Sequence, residues 1–438
     1  MHFGRTLSLP VMKVVLLGFV VGGFGVVFVG VIANASGRVF LGYFGYIEAL
    51  AIGLLTVILL HAVFSSVKAR DLACATNLIN QKSSIGLKLA IMGLAMIASI
   101  GFSDLPIFGW DVLDQWCFAA LDYLRGDEEW TWANRRSAHP AVISALIALA
   151  EKPALVGSDV FSSKTLWLTA WAFILALIFL HAHIVTESVQ ISLVVTMSAM
   201  TIPLFENHML IHGYAEIFLG LIIISSAVLL IHITQSQVSI LAAIVLSGVA
   251  LASLKNIGVF LWAIIPAAYV LAYIYRKKQC NLNLLILIGP IFLLFLLFML
   301  DRAGVPLEVS MRYRTSIPIQ PENILLVPRN ELYSLFFNAS FSVIPTALFF
   351  GASLFFLDKH MNQGYRICVL IFIGLFLFIL FSQLTQYGFF YAVPERDTGN
   401  TRFTLPVILT GMLMLPYAAV FAQNHTGIRQ AERLSSRP

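Results

Sequence analysis

Long apolar stretches recur along the whole chain, separated by short polar turns and by two longer polar loops. Twelve of them are predicted to span a membrane: 12–33, 40–64, 84–102, 163–184, 190–205, 209–232, 238–254, 257–275, 283–300, 333–357, 367–390 and 402–422. Most reach about 18 residues, which is enough to cross a hydrocarbon core as a helix. Because backbone groups in lipid must be satisfied internally, each stretch is predicted to be helical. The pattern therefore predicts an all-α polytopic membrane protein with about 12 transmembrane helices, forming a single integral-membrane domain over residues 1–438.

Basic residues collect at one set of helix ends, for example at Lys13, Lys68 and Arg276. By the positive-inside rule this is the cytoplasmic side. The opposite side then receives a first outer loop, 103–162, and a second outer loop, 301–332. Helical spacing of apolar residues within the first loop predicts interfacial helices that lie along the membrane surface.

Composition narrows the class of protein further. Hydrophobic residues make up 59% of the chain, and the mean hydropathy is +0.89. The formal charge of +5 does not indicate a nucleic-acid partner, because the basic residues mostly flank apolar runs on one side. Only Cys117 of the four cysteines is predicted on the outer side, so a disulfide framework is not expected. No CxxC spacing occurs, so a cysteine metal site is not expected either.

An acidic pair in the first outer loop is the first candidate for chemistry. Asp111 and Asp114 are three residues apart on a predicted helix and therefore share a face. A carboxylate within reach of a hydroxyl can act as a general base, and two acids close together can hold a divalent cation. Trp110 and Trp116 flank the pair and can stack on a sugar ring. The alternative is that both acids are solvated charges on an interfacial helix.

A second cluster of polar residues lies where the fifth predicted span ends and the sixth begins. Glu206 and His208 are expected at the outer surface. His212 and Glu216 are four residues apart and are expected on one helix face, where they can share a cavity wall or a ligand. Ionisable groups inside a membrane segment are costly and by default indicate function. A short polar turn with a locally paired Glu and His is the alternative.

Two basic residues on the predicted outer side complete the set of candidates. Lys255 lies in the short turn between the seventh and eighth spans, where it can reach a phosphate or a carboxylate. Arg402 lies at the outer mouth of the last span, and its planar fork suits phosphate. The alternatives are a snorkelling lysine and an interfacial arginine anchor.

Several short segments, taken in order, resemble the GT-C class of integral-membrane glycosyltransferases. The similarity is to the bacterial branch that includes protein mannosyltransferases and lipid A aminoarabinose transferases. The segments that carry it are GWDVLD at 109–114, RRSAHP at 135–140, PLFENHMLIHGYAE at 203–216, KNIG at 255–258 and TRFTLP at 401–406. The resemblance implies a GT-C-like fold with a large outer loop. It also implies a transferase that takes a sugar from a polyprenyl-phosphate donor and works outside the bacterial cytoplasmic (inner) membrane.

The resemblance also implies roles for individual residues. Asp111 is expected to activate the acceptor hydroxyl, and Asp114 to be its partner or a metal ligand. The expected contacts of the lipid phosphate are Arg135, Arg136, His139, Lys255 and Arg402. No cofactor is required by this scheme, although a divalent cation fits it. The expected partners are a polyprenyl-phosphate sugar, membrane lipid and a glycan, lipid or protein acceptor.

Two other classes of protein fit the same helix count. A twelve-helix transporter or lipid flippase predicts polar residues at mid-membrane and two related halves. A non-catalytic scaffold predicts that Asp111, Lys255 and Arg402 can be replaced together without effect. The expected chemistry of the favoured class is a single displacement with inversion, in which polyprenyl phosphate leaves from the anomeric carbon.

Overall fold

Helices account for the regular structure of the part of the chain that the computed structural model describes. That part consists of residues 9–40, 120, 142–151, 164–202, 214–233, 237–255, 258–277, 351, 362–384 and 404–423, and it contains no strand. Five of its helices are long and apolar enough to cross a membrane: Met12–Val31, Leu166–Thr186, Glu216–Ile233, Gln237–Leu254 and Leu405–Gln423. The described part of the chain is thus all-α, as predicted, and its five long apolar helices indicate an integral membrane protein.

Other parts of the predicted topology lie outside the described residues. They include the second outer loop, most of the first outer loop, and four of the stretches that the count of about 12 spans requires: 40–64, 84–102, 283–300 and 333–357.

Nine α-helices are described in this part of the chain. They are α1 (Leu9–Phe40), α2 (Val142–Glu151), α3 (Lys164–Thr186), α4 (Val189–Met200), α5 (Glu216–Val228), α6 (Gln237–Leu254), α7 (Gly258–Lys277), α8 (Gln363–Leu384) and α9 (Leu405–Met412). A π-helical turn, Leu229–Ile233, continues α5. Beyond a two-residue turn after α9, residues 415–423 are again helical.

The helix α5 is the centre of the bundle. Every residue from Glu216 to Val228 is buried, because α1, α3, α6, α7 and α9 all pack around it. A helix that is apolar on all sides is expected to be enclosed rather than to lie at the edge. The ends of α5 are therefore the places where polar side chains can meet inside the bundle.

Pairwise contacts define the directions of the helices. The start of α5 meets the end of α6, and Ser226 of α5 meets Ser247 of α6 at 2.6 Å, so these helices are antiparallel. Trp167 of α3 packs on Phe218 of α5, and His181 of α3 lies beside His232, so α3 and α5 are parallel. By the same reasoning α1, α6 and α8 run in one direction and α3, α5, α7 and α9 run in the other.

Small residues let neighbouring backbones approach closely. A Cβ atom at Gly248 of α6 would lie 2.5 Å from Cε2 of Trp262 on α7. The missing side chain lets the Trp262 indole donate a hydrogen bond to the carbonyl of Ile244, at 2.7 Å. Close approach at small residues is a usual means of helix association in membranes. Gly248 is thus required at the α6–α7 contact.

The ten-residue helix α2 is too short to cross a membrane. It lies within the first outer loop, for which the sequence predicts interfacial helices. Its residues Val142 and Leu146 pack against Gly30 of α1. This contact fixes the start of α2 at the same end of the bundle as the start of α5, because Gly23, about two turns earlier in α1, already packs against Leu221.

Replacement of Gly248 by alanine is expected to destabilise the protein. The added methyl group would displace the Trp262 ring and weaken its hydrogen bond, at a cost of about 1–3 kcal/mol. Gly25→Ala is the matched control: it makes the same change in α1, where no other atom lies within 4 Å of the new Cβ. That control is expected to retain stability or gain about 1 kcal/mol from helix propensity. Apparent melting temperatures in detergent, followed by size-exclusion chromatography, would measure both; equal behaviour of the two variants would contradict the packing role.

Candidate functional site

A buried ion pair joins two of the predicted site residues. The Nζ atom of Lys255 donates a hydrogen bond to Oε1 of Glu216 at 2.7 Å. Glu216 has no exposed surface and Lys255 is 5% exposed. The residues are 39 positions apart in sequence, so only the packing of α5 against α6 brings them together. We call Glu216 and Lys255 the buried ion pair.

The positions of both charges suit the helices that carry them. Glu216 is the first residue of α5, and Lys255 directly follows the last residue of α6. A carboxylate is stabilised near the positive end of a helix macrodipole, and an ammonium near the negative end. Because α5 and α6 are antiparallel, these two favourable positions lie at the same end of the bundle. The helix ends therefore reinforce the attraction within the buried ion pair.

An aromatic residue of α3 supports the carboxylate side of the pair. The indole Nε1 of Trp167 donates a hydrogen bond to the carbonyl of Tyr214, two residues before Glu216, at 3.1 Å. The Trp167 ring also meets Phe218 edge to face, with ring centroids 5.6 Å apart. Trp167 is 1% exposed and has little freedom to move. It thereby fixes the path by which the chain enters α5.

A tight turn supports the ammonium side of the pair. The carbonyl of Lys255 accepts a hydrogen bond from the backbone N–H of Gly258, at 2.8 Å, as the chain turns into α7. A Cβ atom at Gly258 would overlap the carbonyl group of Leu251. Only glycine lets the start of α7 come this close to the end of α6. The turn at 255–258 thus requires its first and its last residue, the lysine for its charge and the glycine for its small size.

The structure resolves one of the alternatives that the sequence leaves open. Lys255 is neither snorkelling nor solvent-exposed, since it contacts a buried carboxylate. That carboxylate, Glu216, is the first residue of α5. His212 lies outside the described residues, so the expectation that it shares a helix face with Glu216 stays a prediction.

The remaining predicted site residues lie outside the described residues: Asp111, Asp114, Arg135, Arg136, His139, Glu206, His208, His212 and Arg402. Three described helices nevertheless begin close to some of them in sequence. The helix α2 begins three residues after His139, α5 begins four residues after His212, and α9 begins three residues after Arg402. Gly220 of α5 packs against Leu409 of α9, so α5 and α9 begin at the same end of the bundle, the end that also holds the start of α2.

Sequence reasoning missed two histidines that meet inside the bundle. His181 of α3 and His232 of the π-helical turn contact each other through ring nitrogens 2.8 Å apart. The signal was present, because both histidines occur inside apolar spans, where an ionisable residue is costly. Their pairing could not be read from the sequence, because α3 and the π-helical turn are 51 residues apart at this contact.

Comparison with known proteins yields no match: no family model, no curated protein and no solved structure matches this chain. In the described part of the chain, no group of three or more His, Cys, Asp or Glu side chains could hold a metal ion.

Removal of one member of the buried ion pair is expected to be far more damaging than removal of both. Glu216→Leu or Lys255→Met leaves an uncompensated charge in the interior, which typically costs about 3–5 kcal/mol. The double variant removes both charges and is expected to regain most of that stability. Apparent melting temperatures of the four proteins form a double-mutant cycle. Additive losses would show that the two side chains do not interact.

Proposed function

We propose that the protein is a membrane glycosyltransferase of the GT-C type. It transfers a sugar from a polyprenyl-phosphate donor to a hydroxyl acceptor on a lipid, glycan or protein. The reaction takes place at the outer face of the bacterial cytoplasmic membrane. The resemblance of five short segments supports this proposal, and so does the helical membrane architecture in which they occur.

The observation that carries the proposal is the contact between Glu216 and Lys255. Glu216 is the last residue of the segment at 203–216, and Lys255 is the first residue of the segment at 255–258. These are two of the segments that resemble the glycosyltransferases, and their charged residues are 2.7 Å apart. A coincidental resemblance would not require the two segments to meet.

The ends of neighbouring helices give further support. The segment at 135–140 ends just before α2, and the segment at 401–406 includes the first two residues of α9. Both helices start at the same end of the bundle as Glu216. In the proposed site, Arg135, Arg136, His139 and Arg402 bind the lipid phosphate. The buried ion pair then positions the turn at 255–258 and the entry to α5 beneath the bound phosphate. Glu206, His208 and His212 would line the same side.

In the proposed reaction, Asp111 removes the proton from the acceptor hydroxyl as the oxygen attacks the anomeric carbon. The bond from that carbon to the phosphate oxygen breaks, and polyprenyl phosphate leaves with the bonding electron pair. Basic side chains stabilise the negative charge on the leaving phosphate. Asp114 assists Asp111 or, together with it, holds a divalent cation. The sugar is transferred with inversion, because a single displacement occurs.

A panel of polyprenyl-phosphate sugars tests the proposal directly. Purified protein is incubated with each donor, and the released polyprenyl phosphate is measured by mass spectrometry. We expect release from at least one donor, and a loss of about 10²–10⁴-fold in the Asp111→Asn variant, since a general base typically contributes that much. Asp71→Asn is the matched control, because the same change is made on the predicted cytoplasmic side. Near-wild-type release by Asp111→Asn, or no release from any donor by folded protein, would contradict the proposal.

The double variant of the buried ion pair separates positioning from chemistry. If the pair only positions its turn, the folded Glu216→Leu/Lys255→Met protein still releases measurable polyprenyl phosphate, and its KM for the donor is raised. If Lys255 also contacts the leaving phosphate, kcat falls as well.

A twelve-helix transporter or lipid flippase is the second candidate. The pair of histidines inside the bundle is the observation that favours it, since such residues mark proton relays in pumps and transporters. A counterflow assay in proteoliposomes, with labelled solute or labelled lipid, distinguishes the two functions. Counterflow without release of polyprenyl phosphate would favour transport.

A further inference from the structure

A second polar cluster lies inside the bundle, at the end opposite the buried ion pair. His181 is on the last turns of α3, and His232 is in the π-helical turn that continues α5. The Nδ1 atom of His181 is 2.8 Å from Nε2 of His232. His181 has no exposed surface, whereas His232 is only partly buried. We call these two residues the histidine pair.

Pro416 explains why one of these rings is held so firmly. Proline has no backbone N–H, and around it the helical hydrogen bonds shift. The N–H of Tyr417 donates to the carbonyl of Met414, at 3.1 Å, rather than to that of Leu413. The freed carbonyl of Leu413 accepts a hydrogen bond from Nε2 of His181 instead, at 3.0 Å. The pair is therefore tied to the break between α9 and residues 415–423.

The carbonyl contact determines where the ring protons lie. A carbonyl oxygen only accepts, so Nε2 of His181 must carry a proton. In the neutral ring Nδ1 is then an acceptor, and Nε2–H of His232 donates to it across the 2.8 Å contact. This leaves Nδ1 of His232 as the ring nitrogen of the pair that can take up a proton.

The same geometry limits how many protons can be added. One proton on Nδ1 of His232 preserves both hydrogen bonds of the pair. A second proton, on Nδ1 of His181, would place an N–H on each side of the short contact and break it. The arrangement thus accommodates one additional positive charge and excludes two.

We propose that the histidine pair is a binding site for a single proton, taken from the aqueous phase through the partly exposed His232. Binding adds the proton to the lone pair of Nδ1 and breaks no other bond. His181 distributes the charge through its hydrogen bond and holds the Leu413 carbonyl in both states. The inference does not depend on the glycosyltransferase proposal.

The groups around the histidine pair come from three other segments. On α1, Lys13 lies within electrostatic range of His232. Tyr417 meets the His181 ring edge to face, with centroids 5.5 Å apart. Behind it on α8 are Tyr365, 5.8 Å from Tyr417 between ring centroids, and the buried Cys368. Neither histidine forms an ion pair with a carboxylate in the described part of the chain. A bound proton is therefore not neutralised by a described neighbour.

The proton site shares its helices with the candidate functional site. The helix α5 begins at Glu216, and its π-helical continuation contains His232, 16 residues later, or about 24 Å along a helix axis. On α3, Trp167 supports the entry to α5 and His181 belongs to the histidine pair. A change of protonation at one end can thus act on the other through elements that are continuous between them.

Proton uptake by purified protein in lipid nanodiscs tests the proposal. Wild-type protein and the His232→Gln variant are titrated from about pH 8 to about pH 4, a range that brackets histidine titration. The glutamine amide can still donate to Nδ1 of His181 but cannot bind a proton, so the variant is expected to fold normally. We expect the wild type to take up about one more proton per chain. A difference near zero would show that the contact is purely structural and would overturn the proposal. The double variant His181→Gln/His232→Gln, which lacks both rings, gives the total uptake of the pair. A difference near two between the wild type and this double variant would show that the rings titrate independently and would also overturn the proposal.

A measurement on the unmodified protein tests the proposal without a variant that could misfold. Nitrogen NMR of protein with ¹⁵N-labelled histidine reports the tautomer and charge of each ring. We expect both rings of the pair to be neutral Nε2–H tautomers at high pH and to change together at a single midpoint. Two separate midpoints, or no change above about pH 4, would contradict a one-proton site.

Discussion

Polar groups inside this protein have no water to bind, and this constraint shapes the described structure. An unsatisfied backbone or side-chain group costs several kcal/mol in hydrocarbon. Several polar groups of the described bundle meet this requirement in pairs. Lys255 donates a hydrogen bond to Glu216, and His181 donates one to the Leu413 carbonyl near Pro416. The Trp262 indole donates one to the carbonyl of Ile244. These contacts determine which helices are neighbours and in what register, because apolar side chains alone would allow many packings.

The central helix shows how this constraint is distributed along the bundle. The helix α5 is enclosed on all sides, yet it starts at a glutamate and its π-helical continuation contains a histidine. Ser226, in its second half, contacts Ser247 of α6 at 2.6 Å. Each of these polar residues contacts a polar partner on another helix. Apolar turns separate them and supply the burial that keeps α5 at the centre.

The two ends of the bundle are therefore different in chemical character. One end holds a charged pair, supported by Trp167 and by the glycine turn at Gly258. The other end holds the histidine pair, which is tied to an interrupted helix. The first arrangement is rigid, because both charges are fixed by helix ends and by each other. The second suits a group that changes its protonation, because a helix break and a π-helical turn allow small adjustments.

The sequence by itself determined the class of protein, since apolar stretches of membrane-spanning length can only be buried in lipid or in other helices. It also placed Glu216 and Lys255 among the candidate residues, because charges at the ends of apolar runs are conspicuous. Only the tertiary structure decided that these two contact each other and that His181 and His232 form a pair. The physical reason is that periodicity is local, whereas a contact between side chains 39 or 51 residues apart depends on the register of two packed helices.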